Sequence, residues 1–140
     1  MKITVELPIY VQTAKNKTKL IGMNWYRNTH FHEESKTKRY YHELVSALLK
    51  LPRKHLTGVI KTSYKLYYKN SQSDLMNIVS VIDKYLLDAL QEIKIIDNDN
   101  VLNYRKCEIE VMGQDKKNPR LICEITGEVE WNITVNAVSL

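Results

Sequence analysis

Five aspartates, Asp74, Asp83, Asp88, Asp97 and Asp99, fall within one short stretch of this 140-residue chain. A divalent cation such as Mg²⁺ takes hard oxygen ligands, so carboxylates gathered from that stretch are candidate metal ligands. Lys84 lies among them. An ordinary solvated helix and turn would have the same composition, so the elements that position these residues decide between the two.

Residues 74 to 93 read as a helix, with Ser73 or Asp74 as the N-cap. At about 100° per residue, Ile78, Val81, Ile82, Tyr85, Leu86, Ala89, Leu90 and Ile93 fall on one broad arc, the face to be buried. Asn77, Ser80, Lys84, Asp88 and Gln91 form a narrow polar stripe on the other side, with Asp83 at its edge. Asp74 and the turn carrying Asp97 and Asp99 are separated by roughly 30 Å of helix. They can meet only if residues 94 to 100 run back as an extended segment, bringing Asp99 to the polar stripe.

The remaining pattern supplies a scaffold. Ile3, Val5 and Leu7 alternate with polar residues in a strand that stops at Pro8. Residues 11 to 31 have no clean period but gather Lys15, Lys17, Lys19 and Arg27 around Asn24, Trp25 and Tyr26, a cationic aromatic loop or ribbon. His32 to Lys50 has helical spacing, closed by Pro52. Residues 60 to 68 alternate as a strand with one cationic face. Val101 to Val111 and Leu121 to Trp131 read as two further strands joined by a polar loop, Gly113 to Pro119, and expected to pair antiparallel. The order β-α-β-α-β-β predicts an α+β (mixed α/β) domain spanning 1–140, a small mixed sheet with two main helices packed on it.

Charge is divided unevenly. Residues 1–72 hold 14 lysines and arginines against 4 acids, whereas residues 73–140 hold 7 against 12. A basic surface attracts a polyanion by counterion release, and the separate carboxylates could hold metal beside a bound phosphate, which raises the hypothesis of a nucleic-acid enzyme. Four glycines cannot form a nucleotide-phosphate loop, and the composition excludes collagen-like and low-complexity classes. No run approaches the ~20 apolar residues of a membrane span, and the opening residues alternate, so a cytosolic, membrane-free domain is expected.

The run from Ser73 to Asn100, SDLMNIVSVIDKYLLDALQEIKIIDNDN, resembles the signature of the RusA family of phage and prophage Holliday-junction resolvases. In that signature an Asp-any-Asp-Asn opens a helix, which carries a lysine and then an Asp followed by a small residue and Leu; an Asn-Asp or Asp-Asp turn ends it. Asp74, Asn77, Lys84, Asp88-Ala89-Leu90 and Asn98-Asp99 match. The start is similar too: Leu7-Pro8 after a short strand, Asn24, Tyr26 and Arg27, then a helix with Lys36 and Lys38. The likeness covers about residues 3 to 104.

The resemblance implies a RusA-like fold and Mg²⁺-dependent hydrolysis of branched double-stranded DNA, the four-way junction, in recombination and repair. Asp74 and Asp99, with Asp88 or Asp83, would hold one or two Mg²⁺, Mn²⁺ substituting, and Lys84 would face the scissile phosphate. Lys15, Lys17, Lys19, Arg27, Lys36, Lys38 and Arg39 would grip backbone phosphates. A homodimer would present two active sites to a two-fold junction, in the cytosol of a bacterial host. One departure matters: Met76 stands where the family has its second Asp, and a thioether is no substitute for a hard oxygen ligand. The polar stripe favours Asp88 as the compensating acid. The rival expectation is a catalytically weakened module that binds branched DNA without cutting it.

Other signals are weaker. His30, His32, His42 and His55 lack the spacing of a transition-metal site. Trp25 and Tyr26 suit either base stacking or core packing. Cys107 and Cys123 read as buried reduced thiols.

Overall fold

In the computed structural model, residues 1–49 and 55–130 are described. They form β1 (Lys2–Pro8), β2 (Tyr10–Ala14), β3 (Lys17–Leu20), α1 (Met23–Asn28), α2 (Phe31–Leu48), β4 (His55–Tyr68), α3 (Leu75–Glu92), β5 (Tyr104–Gln114) and β6 (Arg120–Glu130). The architecture is α+β, as expected, but the element order is richer than the sequence pattern suggested. The segment after β1 adds a two-stranded hairpin, β2–β3, and a short helix, α1. Asn16, at φ 61°, supplies the left-handed residue that turns this hairpin. Lys50, Pro52 as the closure of α2, and Trp131 at the end of the final strand lie outside the described residues.

The main sheet runs β1-β6-β4-β5. β6 lies antiparallel between β1 and β4, while β5 pairs parallel with β4. The expected antiparallel pairing of the last two strands is therefore corrected: β6 passes β5 and inserts two places away. The chemistry of the strands explains this. Leu121, Cys123 and Ile125 of β6 are fully buried and belong at the sheet centre, whereas β5 carries Arg105, Lys106, Glu108 and Glu110, charges that suit an edge.

One face of the sheet packs on α3. Val5 and Leu7 of β1, Tyr64 and Leu66 of β4 and the buried residues of β6 meet Ile78, Ile82, Tyr85, Leu86 and Leu90. Val79 and Leu87 are buried as well, Val79 on the side of α3 that faces β5, while α1 and α2 pack on another flank of the helix. The opposite sheet face presents Lys2, Thr4, Lys61 and Thr126 to solvent. Cys107 is exposed and only Cys123 is buried, correcting the reading of both as core thiols; edge strand β5 lies at the margin of what the helices cover. No helix among the described residues is long and apolar enough to cross a membrane.

Tyr41 ties α2 to the sheet: fully buried, it stacks on Tyr85 with ring centroids 5.6 Å apart and donates its hydroxyl to the Pro8 carbonyl at 2.6 Å. Tyr41→Phe keeps the packing and strands that carbonyl. The expected cost is about 1 kcal/mol, read as a lower urea midpoint with an unchanged slope.

Candidate functional site

The helix of the aspartates forms as its periodicity requires, and Asp74 takes the N-cap position with extended backbone. The Asp74 carbonyl accepts the Ile78 N–H at 3.1 Å, but its side chain makes no cap hydrogen bond and is exposed. Asp83 lies nine residues further on, about 13–14 Å along the axis. On leaving α3 the chain does not run back as an extended strand. Lys94 takes a left-handed φ of 64°, and residues 97 to 103 fold into turns in which Asn98 and Asn100 accept backbone N–H groups through their side chains. The Asn103 carbonyl then accepts the Ile60 N–H at 2.6 Å, and β5 begins.

This path separates the aspartates into different settings. Asp83 is half-buried against the sheet, where Tyr64 and Tyr104 both donate their hydroxyls to its Oδ1, the Tyr104 bond at 3.0 Å. Since the Tyr104 proton is committed to Asp83, the Thr62 hydroxyl, 2.5 Å away, is the donor to Tyr104. Burial raises the Asp83 pKa above its ordinary value; the two phenol hydrogen bonds oppose this, and the nearby charge of Asp99 raises it further. The phenols respond in kind. Burial pushes both Tyr64 and Tyr104 well up, and the Asp83 carboxylate adds to the effect.

Asp83 opens onto a cleft of about 460 Å³ between α3 and β5, lined also by Met76, Ser80, Tyr104, Arg105 and Lys106. Met76, Ser80 and Asp83 share one helix face at spacings of four and three residues. Arg105 is anchored by its Nε–H to the Leu102 carbonyl at 3.1 Å, and Lys106 pairs with Glu108 at 3.0 Å. Asp99 is exposed beyond the cleft, close enough for its charge to act on Asp83.

Lys84 and Asp88 face elsewhere. Lys84 donates to the Tyr26 hydroxyl at 2.8 Å and sits 5.0 Å from that ring's centroid, and the hydrogen bond holds its pKa up. Asp88 pairs with Lys38 of α2 at 3.4 Å. Nearby, Tyr85 donates to Glu34 at 2.9 Å. Lys84 and Asp88 of the polar stripe thus point toward α1 and α2, whereas Ser80 lines the cleft, and Gly22 is what lets α1 approach: a Cβ there would lie 3.3 Å from the Asn77 carbonyl oxygen. Asp97 pairs with His55 at 3.1 Å. Among the described residues, no three of His, Cys, Asp and Glu gather as a metal-holding group.

The expected phosphate-gripping residues lie on successive elements, from the β2–β3 hairpin to α2. Lys15, Lys17 and Lys19 stand exposed on the β2–β3 hairpin, Arg27 on α1, and Lys36 and Arg39 on α2, with Lys38 committed to Asp88. Trp25 is buried and serves packing, not stacking on a ligand. Sequence reading missed Tyr64, Tyr104, Arg105 and Lys106. The inward alternation of β4 marks Tyr64, but the other three announce themselves only once β5 lies parallel to β4 beside α3.

Ser80, Asp83 and Tyr104 present oxygen to the cleft, beside the sulfurs of Met76 and Cys107. Both phenols bond Oδ1 of Asp83, so Oδ2 is without a hydrogen bond among the described residues. Mg²⁺ is commonly held by one or two carboxylates, several waters and substrate phosphate, and Asp83, with Oδ2 left open, has the chemistry of one such ligand. No protein-family model matches this chain, and neither does any curated protein.

Proposed function

We propose that this chain is a Mg²⁺-dependent endonuclease acting on branched double-stranded DNA, with Asp83 and Asp99 as its metal-holding carboxylates. The observation that carries it is Asp83: a half-buried carboxylate made harder to ionise by burial and by Asp99, in a cleft rimmed by Arg105 and Lys106. A divalent cation relieves that unfavourable burial and repulsion, which gives the arrangement a purpose that a purely structural aspartate lacks.

When bound, Mg²⁺ supplies a water of lowered pKa and charge to offset the departing oxygen. The chain's own groups do the rest. Tyr64 and Tyr104 fix the Asp83 carboxylate through Oδ1, and Asp83 would then hold the metal through its remaining oxygen. Arg105 and Lys106 draw the phosphate to the cleft. Lys15, Lys17, Lys19, Arg27, Lys36 and Arg39 contact neighbouring phosphates without reading sequence. Lys84 and Asp88 act with Tyr26 and Lys38 as part of that basic surface, not beside the metal, and Asp74 stands exposed at the start of its helix, away from Asp83. Two copies related by a two-fold axis would match the symmetry of a four-way junction, and a bacterial cytosol, phage- or prophage-directed, is the setting this activity implies.

A second reading is favoured by one residue. Met76 places a thioether in the cleft where the resembled signature has a carboxylate, and a protein so altered could hold branched DNA without cutting it.

A synthetic junction incubated with Mg²⁺ distinguishes the two. Nicking by the wild type that is lost in Asp99→Asn supports the nuclease; equal nicking by both removes Asp99 from the site. Tight binding with no nicking in Mg²⁺ or Mn²⁺ supports the second reading. The basic surface has its own check: each of Lys17→Ala and Lys19→Ala is expected to lower the slope of log affinity against log salt by about 1, equally for junction and duplex.

A further inference from the structure

The chain's one phenylalanine, Phe31, is 74% exposed. A lone apolar side chain on a surface needs no explanation by itself. This one opens α2 between His30 and His32, and both of those line a second cavity, of about 680 Å³, between β2 and the start of α2. Tyr10 and Gln12 of β2 form one wall, and His32, Lys36 and Tyr40 of α2 form the other.

The lining specifies an occupant. Lys36 and Glu33 nearly cancel, so the cavity does not select an anion, although exposed cations (Lys15, Lys17, Lys19, Arg27 and Arg39) lie on the elements around it. The walls offer aromatic faces, together with imidazole, carboxamide and hydroxyl groups able to donate and accept hydrogen bonds. Lys69 approaches the Tyr10 ring at 5.1 Å, and the Thr37 hydroxyl is already spent on the Glu33 carbonyl. A neutral, flat, hydrogen-bonding ring tethered to a polyanion meets all of these conditions, and the volume lies in the ~300–1,000 Å³ range of small-ligand sites.

We propose that this cavity receives one unpaired nucleobase of branched DNA, with Phe31 as the wedge that parts it from its stack. Apolar side chains inserted between base steps unstack DNA in this way, and a base already strained at a branch point is the easiest to move. The inference rests on the nucleic-acid reading above but not on cleavage, so it holds equally for a protein that only binds.

The test uses the full chain and a four-way junction carrying 2-aminopurine at each branch-point position in turn, without divalent metal. Wild type is expected to change the fluorescence of at least one branch-point position severalfold, and not that of 2-aminopurine inside a duplex arm. Phe31→Ala should abolish that change and weaken junction binding about tenfold, leaving duplex affinity and its salt slope untouched. Tyr40→Leu should weaken junction binding in the same selective manner, and Phe31→Trp should restore the signal. Junction binding with fluorescence unaltered at every position, or a Phe31→Ala protein indistinguishable from wild type, would overturn the base slot alone. Failure of the wild type to bind any DNA at moderate salt would overturn the nucleic-acid reading and this inference with it.

Discussion

Asp83→Asn is expected to reduce Mg²⁺-dependent nicking of a junction by about 100-fold or more while raising thermal stability. Both effects have one origin. The Asp83 carboxylate is taken partly out of water and lies near Asp99, so its charge is costly in the folded state; an amide of the same shape removes the charge and still accepts from Tyr64 and Tyr104. A gain of about 1 kcal/mol is the scale expected when such a functional compromise is released. The pH dependence follows in sign. The folded pKa of Asp83 lies above the ordinary 3.8, so between that value and the raised one the folded state holds more protons than the unfolded chain. In that window Asp83 makes stability fall as pH rises, and Asp83→Asn removes this contribution. Denaturant titrations of both proteins from acid to neutral pH check it. A variant less stable than wild type at neutral pH would mean that the carboxylate serves the fold.

Met76→Asp is expected to tighten Mn²⁺ or Mg²⁺ binding by at least about tenfold. The new carboxylate would lie on the same face of α3 as Asp83 and line the same cleft. One further negative charge within a few ångströms of a cation contributes on the order of 1–4 kcal/mol near a protein surface. Without metal the variant should be less stable than wild type, because a third acid adds repulsion. Isothermal titration calorimetry of the metal gives the first quantity and thermal melts with and without EDTA the second. An unchanged metal affinity would show that this cleft is not where the cation sits. If the wild type binds junctions without cutting and Met76→Asp cuts them, the second reading is the correct one.

The parts of the fold that sequence made legible are those set by local periodicity. The apolar arc from Ile78 to Leu90 placed α3 within a residue of its observed ends, since a buried face repeating every 3.6 residues has few other solutions. β1 and the inner face of β4 were equally plain. What failed to show was non-local. The insertion of β6 between β1 and β4 depends on which strands bear enough apolar surface for the sheet centre, a comparison made across more than a hundred residues. The β2–β3 hairpin was hidden because Lys15, Lys17 and Lys19 break the apolar alternation, with Asn16 the one local sign of its turn.

The site was half legible for the same reason. Angular position on α3 identified a polar stripe with Asp88 and Lys84 at its middle and put Asp83 at the margin. Angle alone does not say what faces each position. Asp88 meets a lysine on α2, and Lys84 a tyrosine on α1, whereas the marginal Asp83 meets two phenols of the sheet and feels the charge of Asp99. Those partners come from β4, β5 and the turn after α3, at separations no helical wheel contains.

Electron paramagnetic resonance of Mn²⁺ with the wild-type protein and a four-way junction addresses the central claim most directly, because it counts bound metal whether or not cleavage follows. Two carboxylates and a substrate phosphate together predict bound Mn²⁺ in the ternary complex, with little in the protein alone, and its loss in both Asp83→Asn and Asp99→Asn. Manganese that remains free in the ternary complex, or that binds equally well to either variant, would contradict a metal centre at Asp83 and Asp99.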